Sequence, residues 1–309
     1  MVETPAVLVV IPLYNASAYI RGTVAAILEQ DYSNFKVLII NDGSTDDSGV
    51  IARSIKDDRI VVWDQENRGP GAAMNRAIEY AMKEGFPFIA RADADDIMSP
   101  SRIRKQIHML QKFPEVAACS ANCYYVDELT EKKIGRSTVP ISAKLIEWEL
   151  KQGLRGLIQS ATTFRTGTLN DIGGYRPHIR QAEDADLFLR LVAKYPLLNC
   201  NDYLCSIRFR GDSLSMGNVR LNIQNHFYVL DCAKRRRKGK AELDFGAFME
   251  EIDGYTKFLI WREEQLLRYW RKGFYSLNLI YTIVAAFLDP RRVIARILRM
   301  IDSRIHSKD

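Results

Sequence analysis

Short aliphatic and β-branched runs alternate, over the first hundred residues, with stretches whose apolar positions recur every three or four residues. Val7 to Ile11 and Lys36 to Ile40 are such runs, each stopped by turn residues, and Ala18 to Gln30 between them has helical spacing. A strand-helix-strand unit is therefore expected. A helix from about Asp46 to Ile55 follows, then a strand over Arg59 to Trp63, a helix around Gly71 to Glu84 and a strand over Phe86 to Ala90. Strands alternating with helices predict an α/β fold with a mostly parallel central sheet and helices on both faces. After Ser215 the alternation stops, and helices are expected over about Asn218 to Lys234, over Asp244 to Tyr269 and on either side of Asp289-Pro290.

A sheet of this kind binds its ligand outside the carboxyl ends of its strands. The residues just after the strands are the polar ones: Pro12-Leu-Tyr-Asn15, Asn41-Asp-Gly-Ser-Thr-Asp46, Glu66-Asn-Arg-Gly69 and Asp93-Ala-Asp-Asp96. Any one of these also reads as an ordinary polar turn, with Asp42-Gly43 reversing the chain and Ser44 or Asp46 capping a helix. Four such loops on one rim point to a site. Neither G-x-G-x-x-G nor G-x-x-x-x-G-K-[ST] is present, which excludes the usual dinucleotide and P-loop signatures. Gly69-Pro-Gly71 precedes a helix whose free N–H groups would suit an anion.

Asp93-Ala-Asp-Asp96 places three carboxylates within four residues, and strand alternation sends Asp93 and Asp95 to the same side. Such crowding is costly without a cation, and hard oxygen ligands suit Mg²⁺ or Mn²⁺ completed by the phosphates of a substrate. A solvated acidic turn before Pro100 is the plainer alternative. A second acidic group, Glu183-Asp184, opens a helical stretch, where the helix dipole by itself already favours acids.

Taken in order, the motifs Ile11-Pro-Leu-Tyr-Asn15, Asn41-Asp-Gly-Ser-Thr-Asp46, Asn67-Arg-Gly-Pro-Gly-Ala-Ala-Met-Asn75, Ala90-Arg-Ala-Asp-Ala-Asp-Asp-Ile97, Gly173-Gly-Tyr-Arg176 and Glu183-Asp-Ala-Asp-Leu187 resemble one family. Over about residues 5 to 215 the chain is similar to inverting glycosyltransferases of family 2 with a GT-A fold, of the type that assembles bacterial polysaccharides. The resemblance implies that Asp42 reads the base of a nucleotide sugar, that Asp93 sits near the ribose, and that Asp95 binds the Mg²⁺ or Mn²⁺ bridging the diphosphate. Pro12, Tyr14 and Asn15 would line the nucleotide pocket, and Gly69 and Asn75 would shape its floor. Arg91 matches a subgroup reading Ala-Arg-x-Asp-Ala-Asp-Asp, and Glu183 precedes the family's catalytic base, here Asp184. One departure stands out. Where the family often has a His after the last core strand, this chain has Arg210, which cannot ligate a metal but can bind phosphate oxygens.

Composition changes the picture mainly at the C-terminal end. With 47% hydrophobic residues among 309 the chain has material for a large core, and its formal charge is +6. Residues 231 to 309 hold 17 basic and 11 acidic side chains, so the rest is neutral. Arg291, Arg292, Arg296 and Arg299 alternate with apolar residues as in a basic amphipathic helix, which suggests an anionic membrane surface as partner. A helical cap over the body or a dimer surface would use the same pattern. The neutral body and the lack of a recognition motif argue against nucleic acid. Residues 274 to 288 are apolar but too short to span a bilayer, which takes roughly 20 residues. Five cysteines without a C-x-x-C pair and an N-terminus running into a strand suggest a reduced, cytoplasmic protein, peripheral on the inner face of the membrane.

The expected organisation is a GT-A domain over residues 1–215 and a basic helical tail over 216–309. Within the first, about 1–100 would bind the nucleotide sugar and 101–215 would frame the acceptor. The expected activity is metal-dependent inverting transfer of a sugar, from a UDP-sugar in the first instance, to a hydroxyl of a glycan or lipid-linked glycan. A non-catalytic nucleotide-sugar-binding scaffold is the alternative; intact Asp93, Asp95 and Asp184 weigh against it. A nucleotidyltransferase would need a Gly-rich basic loop after the first strand, which Pro12-Leu-Tyr-Asn15 does not supply.

Overall fold

The computed structural model describes residues 4–209, 219–271 and 290–306. Arg210 and the helical stretch expected before Asp289 lie outside them. The expected alternation holds in the first half: β1 (Val7–Leu13), α1 (Ile20–Leu28), β2 (Phe35–Asp42), α2 (Ser48–Ser54), β3 (Ile60–Gln65), α3 (Pro70–Glu84) and β4 (Phe88–Arg91). After it come β5 (Ile97–Met98), α4 (Arg102–Lys112), β6 (Ala118–Asp127), β7 (Lys133–Arg136) and α5 (Ala143–Lys151). A single 3₁₀ turn, Gln159–Ala161, leads into β8 (Thr163–Arg165), α6 (Thr166–Asp171), α7 (Glu183–Leu191) and β9 (Leu197–Phe209).

The strands form one sheet in the order β3-β2-β1-β4-β8-β6-β9-β5, with β7 against β6. It is parallel where strands and helices alternate, through β3, β2, β1 and β4. Antiparallel pairings enter with β8, β5 and β7, while β6 and β9 run parallel. The sheet is thus mixed, with the short β5 and β8 pairing antiparallel to their neighbours. Strand alternation divides the core into two layers. Leu8, Val10, Leu38, Ile40 and Ile89 face α3, α6 and α7, whereas Val7, Val9, Ile11, Val37 and Ile39 face α1 and α4.

The C-terminal region contributes α8 (Val219–Arg237), α9 (Phe245–Glu251), α10 (Gly254–Arg271) and α11 (Pro290–Ile305). The single helix expected over 244 to 269 is two helices. Asp244 caps the first by accepting from the Ala247 amide at 2.9 Å, and Asp253 accepts from the Thr256 amide at 2.6 Å, starting a second helix. Tyr228, Val229, Cys232 and Ala233 of α8 and Phe248 of α9 belong to the same buried layer as Leu187 and Leu191 of α7. The change from β9 to the helices after it is therefore not a change of core. Ion pairs reinforce the packing: buried Asp186 of α7 meets Arg176 and Arg190, and Arg176 and Arg236 both meet Glu242.

A chain ending at residue 215 is accordingly expected to lose cooperative unfolding, since it uncovers Leu187, Phe188 and Leu191. Calorimetry on the shortened chain checks this; a sharp transition near that of the full chain would contradict it.

Candidate active site

The carboxyl ends of β1, β2, β3 and β4 meet at one rim, and side chains sew their loops together. Asn15, in the left-handed region at φ 47, is an Asn for the usual reason that this residue tolerates it. Its Oδ1 accepts from the Thr45 amide at 2.8 Å, and its own amide donates to Ser44 Oγ at 3.2 Å. Asp46 accepts from the Ser17 amide at 3.0 Å; hydrogen bonding to Ser48 and Ser17 outweighs its burial and lowers its pKa to about 2. Pro12 lies in β1, and Tyr14, just past its end, is exposed.

Asp42 is buried at the end of β2. Its Oδ1 accepts from Gln65 Nε2 at 2.6 Å and the Arg68 amide at 2.9 Å, and its Oδ2 from the Gly69 amide at 2.8 Å. Asp42 thus fixes the loop that enters α3, and Gly69, at φ 87, needs the freedom of a glycine there. A carboxylate has about four acceptor positions, so three protein donors leave room for about one more.

Asn75 of α3 clamps Tyr175 in both directions. Its Nδ2 donates to the Tyr175 carbonyl at 2.7 Å and its Oδ1 accepts from the Tyr175 amide at 2.7 Å. The neighbouring Gly174, at φ +61, cannot be replaced cheaply, because a Cβ would stand 2.5 Å from Asn75 Oδ1. The clamp explains the Gly-Gly-Tyr motif: it carries buried Tyr175, whose hydroxyl accepts from Gln159 Nε2 at 3.0 Å, into the site.

The acidic cluster sits between β4 and β5. Arg91 is buried, and its Nε donates to Asp93 Oδ1 at 3.1 Å, while its Nη1 has no hydrogen-bond partner. Burial opposes the charge of Arg91, but Asp93, Tyr175 and Glu183 overcome it and raise the pKa. Asp96 turns inward. Burial first, and then Cys205, Asp93 and Asp95, push its pKa up. At the start of α7, Glu183 follows Ala182, itself left-handed at φ 57. Burial first, and then the charge of Asp184, raises the Glu183 pKa from 4.5 to about 7, with Arg91 pulling it down. Asp184 Oδ1 accepts from the Ala185 amide at 2.7 Å.

The structure thus gathers Asp42 with Gly69, Asn75 with Tyr175, and Arg91 with Asp93 within reach of Glu183. Arg208 was missed by the sequence reading. From β9 its Nη1 donates to the Asp95 carbonyl at 2.7 Å and its Nη2 reaches Glu131 at 3.0 Å. Its place two residues before Arg210 in the sequence was the available signal. Buried Arg102 was also missed; nothing in a helical Arg-x-x-x-Gln marks it as internal.

The profile of Glycosyl transferase family 2 matches residues 8–173, which hold the whole rim up to the Gly-Gly-Tyr motif. The chain belongs to that family. An uncharacterised glycosyltransferase of Rickettsia typhi is 29% identical over 258 residues, 78% of this chain and 74% of its own length. Several other relatives are about twice as long and are matched over about a third of their length. In fold, the chain is similar to S. aureus TarS 1-349 in complex with UDP-GlcNAc, with a TM-score of 0.56 and 16% identity, covering 82% of this chain and 77% of that one. It is similar too to the mannosyltransferase PcManGT of Pyrobaculum calidifontis in complex with GDP-Man and Mn²⁺, with a TM-score of 0.58 and 18% identity, over 100% and 89% of the two chains. The architecture is GT-A, and the protein is a family 2 glycosyltransferase.

In this family 2 chain the raised Glu183 pKa has a signed consequence. The unfolded chain ionises Glu183 near pH 4.5 and the folded chain near 7, so the folded state holds the extra proton between them and stability falls as pH rises through that window. Denaturant midpoints between pH 4.5 and 7 are expected to fall less steeply for Glu183→Gln than for the parent; superimposable slopes would contradict the assignment.

Proposed function

We propose that the chain transfers a sugar, with inversion, from a UDP-sugar to a hydroxyl of a glycan or lipid-linked glycan in cell-surface polysaccharide assembly. The observation that supports this reading is that buried Arg91 pairs with Asp93 at 3.1 Å while Glu183, next to Asp184, feels the charge of both. The nucleotide sugars held by TarS and PcManGT support the donor class. Residues 1–100 would bind the donor, with Asp42 giving its remaining acceptor position to the base, Pro12, Tyr14 and Asn15 lining the pocket and Gly69 and Asn75 holding its floor. Residues 101–215 would frame the acceptor.

The donor set suits Mg²⁺ or Mn²⁺. Among the described residues no three His, Cys, Asp or Glu side chains converge as a metal-holding group. Asp95, with Asp93 beside it, would therefore hold the ion together with diphosphate oxygens, the partial protein shell usual for magnesium and unlike a structural zinc site. When bound, the ion stabilises the charge that grows on the departing diphosphate.

Asp184 takes the proton of the acceptor hydroxyl as its oxygen attacks the anomeric carbon, while the nucleoside diphosphate leaves from the opposite side. Mounting this base on the first turn of α7 fixes its position, and such a base contributes about 10² to 10⁴ in rate. Glu183 stays beside Arg91 and orders the pair. Arg210, beyond the described residues, would contact the diphosphate. No described helix is long and apolar enough to cross a membrane, and attachment would be peripheral, on the inner face.

Asp184→Asn is expected to lower turnover by at least about 10²-fold with donor affinity nearly unchanged. Asp95→Ala is expected to weaken donor binding only when Mn²⁺ is present. Calorimetric donor titration beside a turnover assay separates the two, and equal donor affinity with and without metal in the parent would remove the cation from the account. Arg210→Ala should steepen the dependence on Mn²⁺, because the ion then faces more of the leaving charge alone; an unchanged metal titration would count against that contact.

A further inference from the structure

The basic amphipathic pattern of α11 suggests that its arginines face a membrane, but the structure turns the helix the other way. Arg299 bonds buried Glu149 of α5, with Nε at 2.6 Å, and donates to the Thr138 carbonyl at 2.9 Å. Asp302 accepts from the Ile141 and Ser142 amides at 2.6 and 2.9 Å, and Ala295 is buried against the body. Arg291 donates to the Gln152 carbonyl at 3.2 Å, and Arg292 pairs with Glu263 of α10. These charged residues are the docking side of the helix.

What remains outward, apart from exposed Arg296, is largely apolar. Ile294, Ile297, Ile301 and Ile305 are 47%, 53%, 51% and 63% exposed, and their spacing of three, four and four puts them on one stripe. On α10, tied to α11 through the Arg292–Glu263 pair, Tyr255, Phe258 and Trp261 are exposed as well. A continuous aliphatic stripe in water is unfavourable and marks a surface that something covers.

We propose that this stripe inserts into the headgroup–acyl boundary of an anionic bilayer, with α11 lying in the membrane plane. Two features favour lipid over a second copy. Residues 231–309 carry 17 basic against 11 acidic side chains, so like regions repel one another and are drawn to an anionic surface. Tyr255 and Trp261 have the amphipathic rings that concentrate at the lipid–water boundary. The apolar stripe supplies the hold and the net charge the approach. The inference deepens the lipid-linked acceptor reading; because vesicle binding needs neither donor nor turnover, the two fail separately.

The test is flotation of the full chain with phosphatidylcholine vesicles, with and without phosphatidylglycerol, in low salt and in 1 M salt. Binding to anionic vesicles should persist at high salt, where charges are screened within about 3 Å. Ile297→Asp with Ile301→Asp should lower the bound fraction about tenfold or more, because the membrane then has to accept charge in place of aliphatic surface. Met82→Asp, on an exposed position of α3, should leave it unchanged. Both sites are exposed, so thermal unfolding should not move. Four results would overturn the proposal: no flotation at all, flotation abolished by salt, flotation indifferent to the two Ile substitutions, or a dimer in light scattering that those substitutions dissolve.

Discussion

The acidic rim depends on a guanidinium it never touches directly. Arg102 of α4 is fully buried, and its hydrogen bonds go to the carbonyls of Ser160 at 2.7 Å, Arg91 at 2.7 Å and Thr162 at 3.2 Å, and to Gln106 Oε1 at 3.1 Å. Those carbonyls end β4 and border the 3₁₀ turn before β8, the two places where the parallel half of the sheet passes to the antiparallel half. Burial lowers the Arg102 pKa, opposed by the surrounding acidic groups, including Asp96 and Asp93. A buried cation is tolerable only when its donors are met, and here the backbone meets them. From α4 this side chain holds the ledge from which Asp93 and Asp95 project.

Charge then alternates outward from it. Burial and acidic neighbours push the Asp96 pKa up, Asp93 and Glu183 keep Arg91 charged, and the Glu183 pKa is raised from 4.5 to about 7. Several carboxylates can share a small space because burial disfavours the charge on some of them and others answer to a buried arginine. Arg208 fixes the Asp95 carbonyl from β9, so the acidic turn is held from β4, from β9 and from α4. A site so constrained is organised before any ligand arrives, which is what stabilising a developing charge requires.

The parallel half of the fold was legible because its strands are short aliphatic runs punctuated by Asn, Asp and Gly, and the rim residues were legible because they follow those runs. The short β5 and β8 were not, since two or three residues carry no period. Arg102 and Asp96 look like surface residues in sequence and are placed inside by tertiary contacts alone. The tail was half legible. Its helices and its amphipathicity could be read, but charge pattern does not say which face docks, and Glu149 and the Ile141–Ser142 amides, remote in sequence, decide that. Asn75 was read as part of a floor; its bond to Tyr175, a hundred residues on, has no signal in the sequence.

The central claim is that this rim holds a nucleotide sugar through a divalent cation. Thermal unfolding of the full chain with a panel of nucleotide sugars, in Mn²⁺ and again in chelator, tests it most directly. One donor should raise the transition in Mn²⁺, with about 2.7 kcal/mol of added stability at a hundred times its Kd, and should have little effect in chelator. No shift with any donor, or the same shift in chelator as in Mn²⁺, would contradict the account.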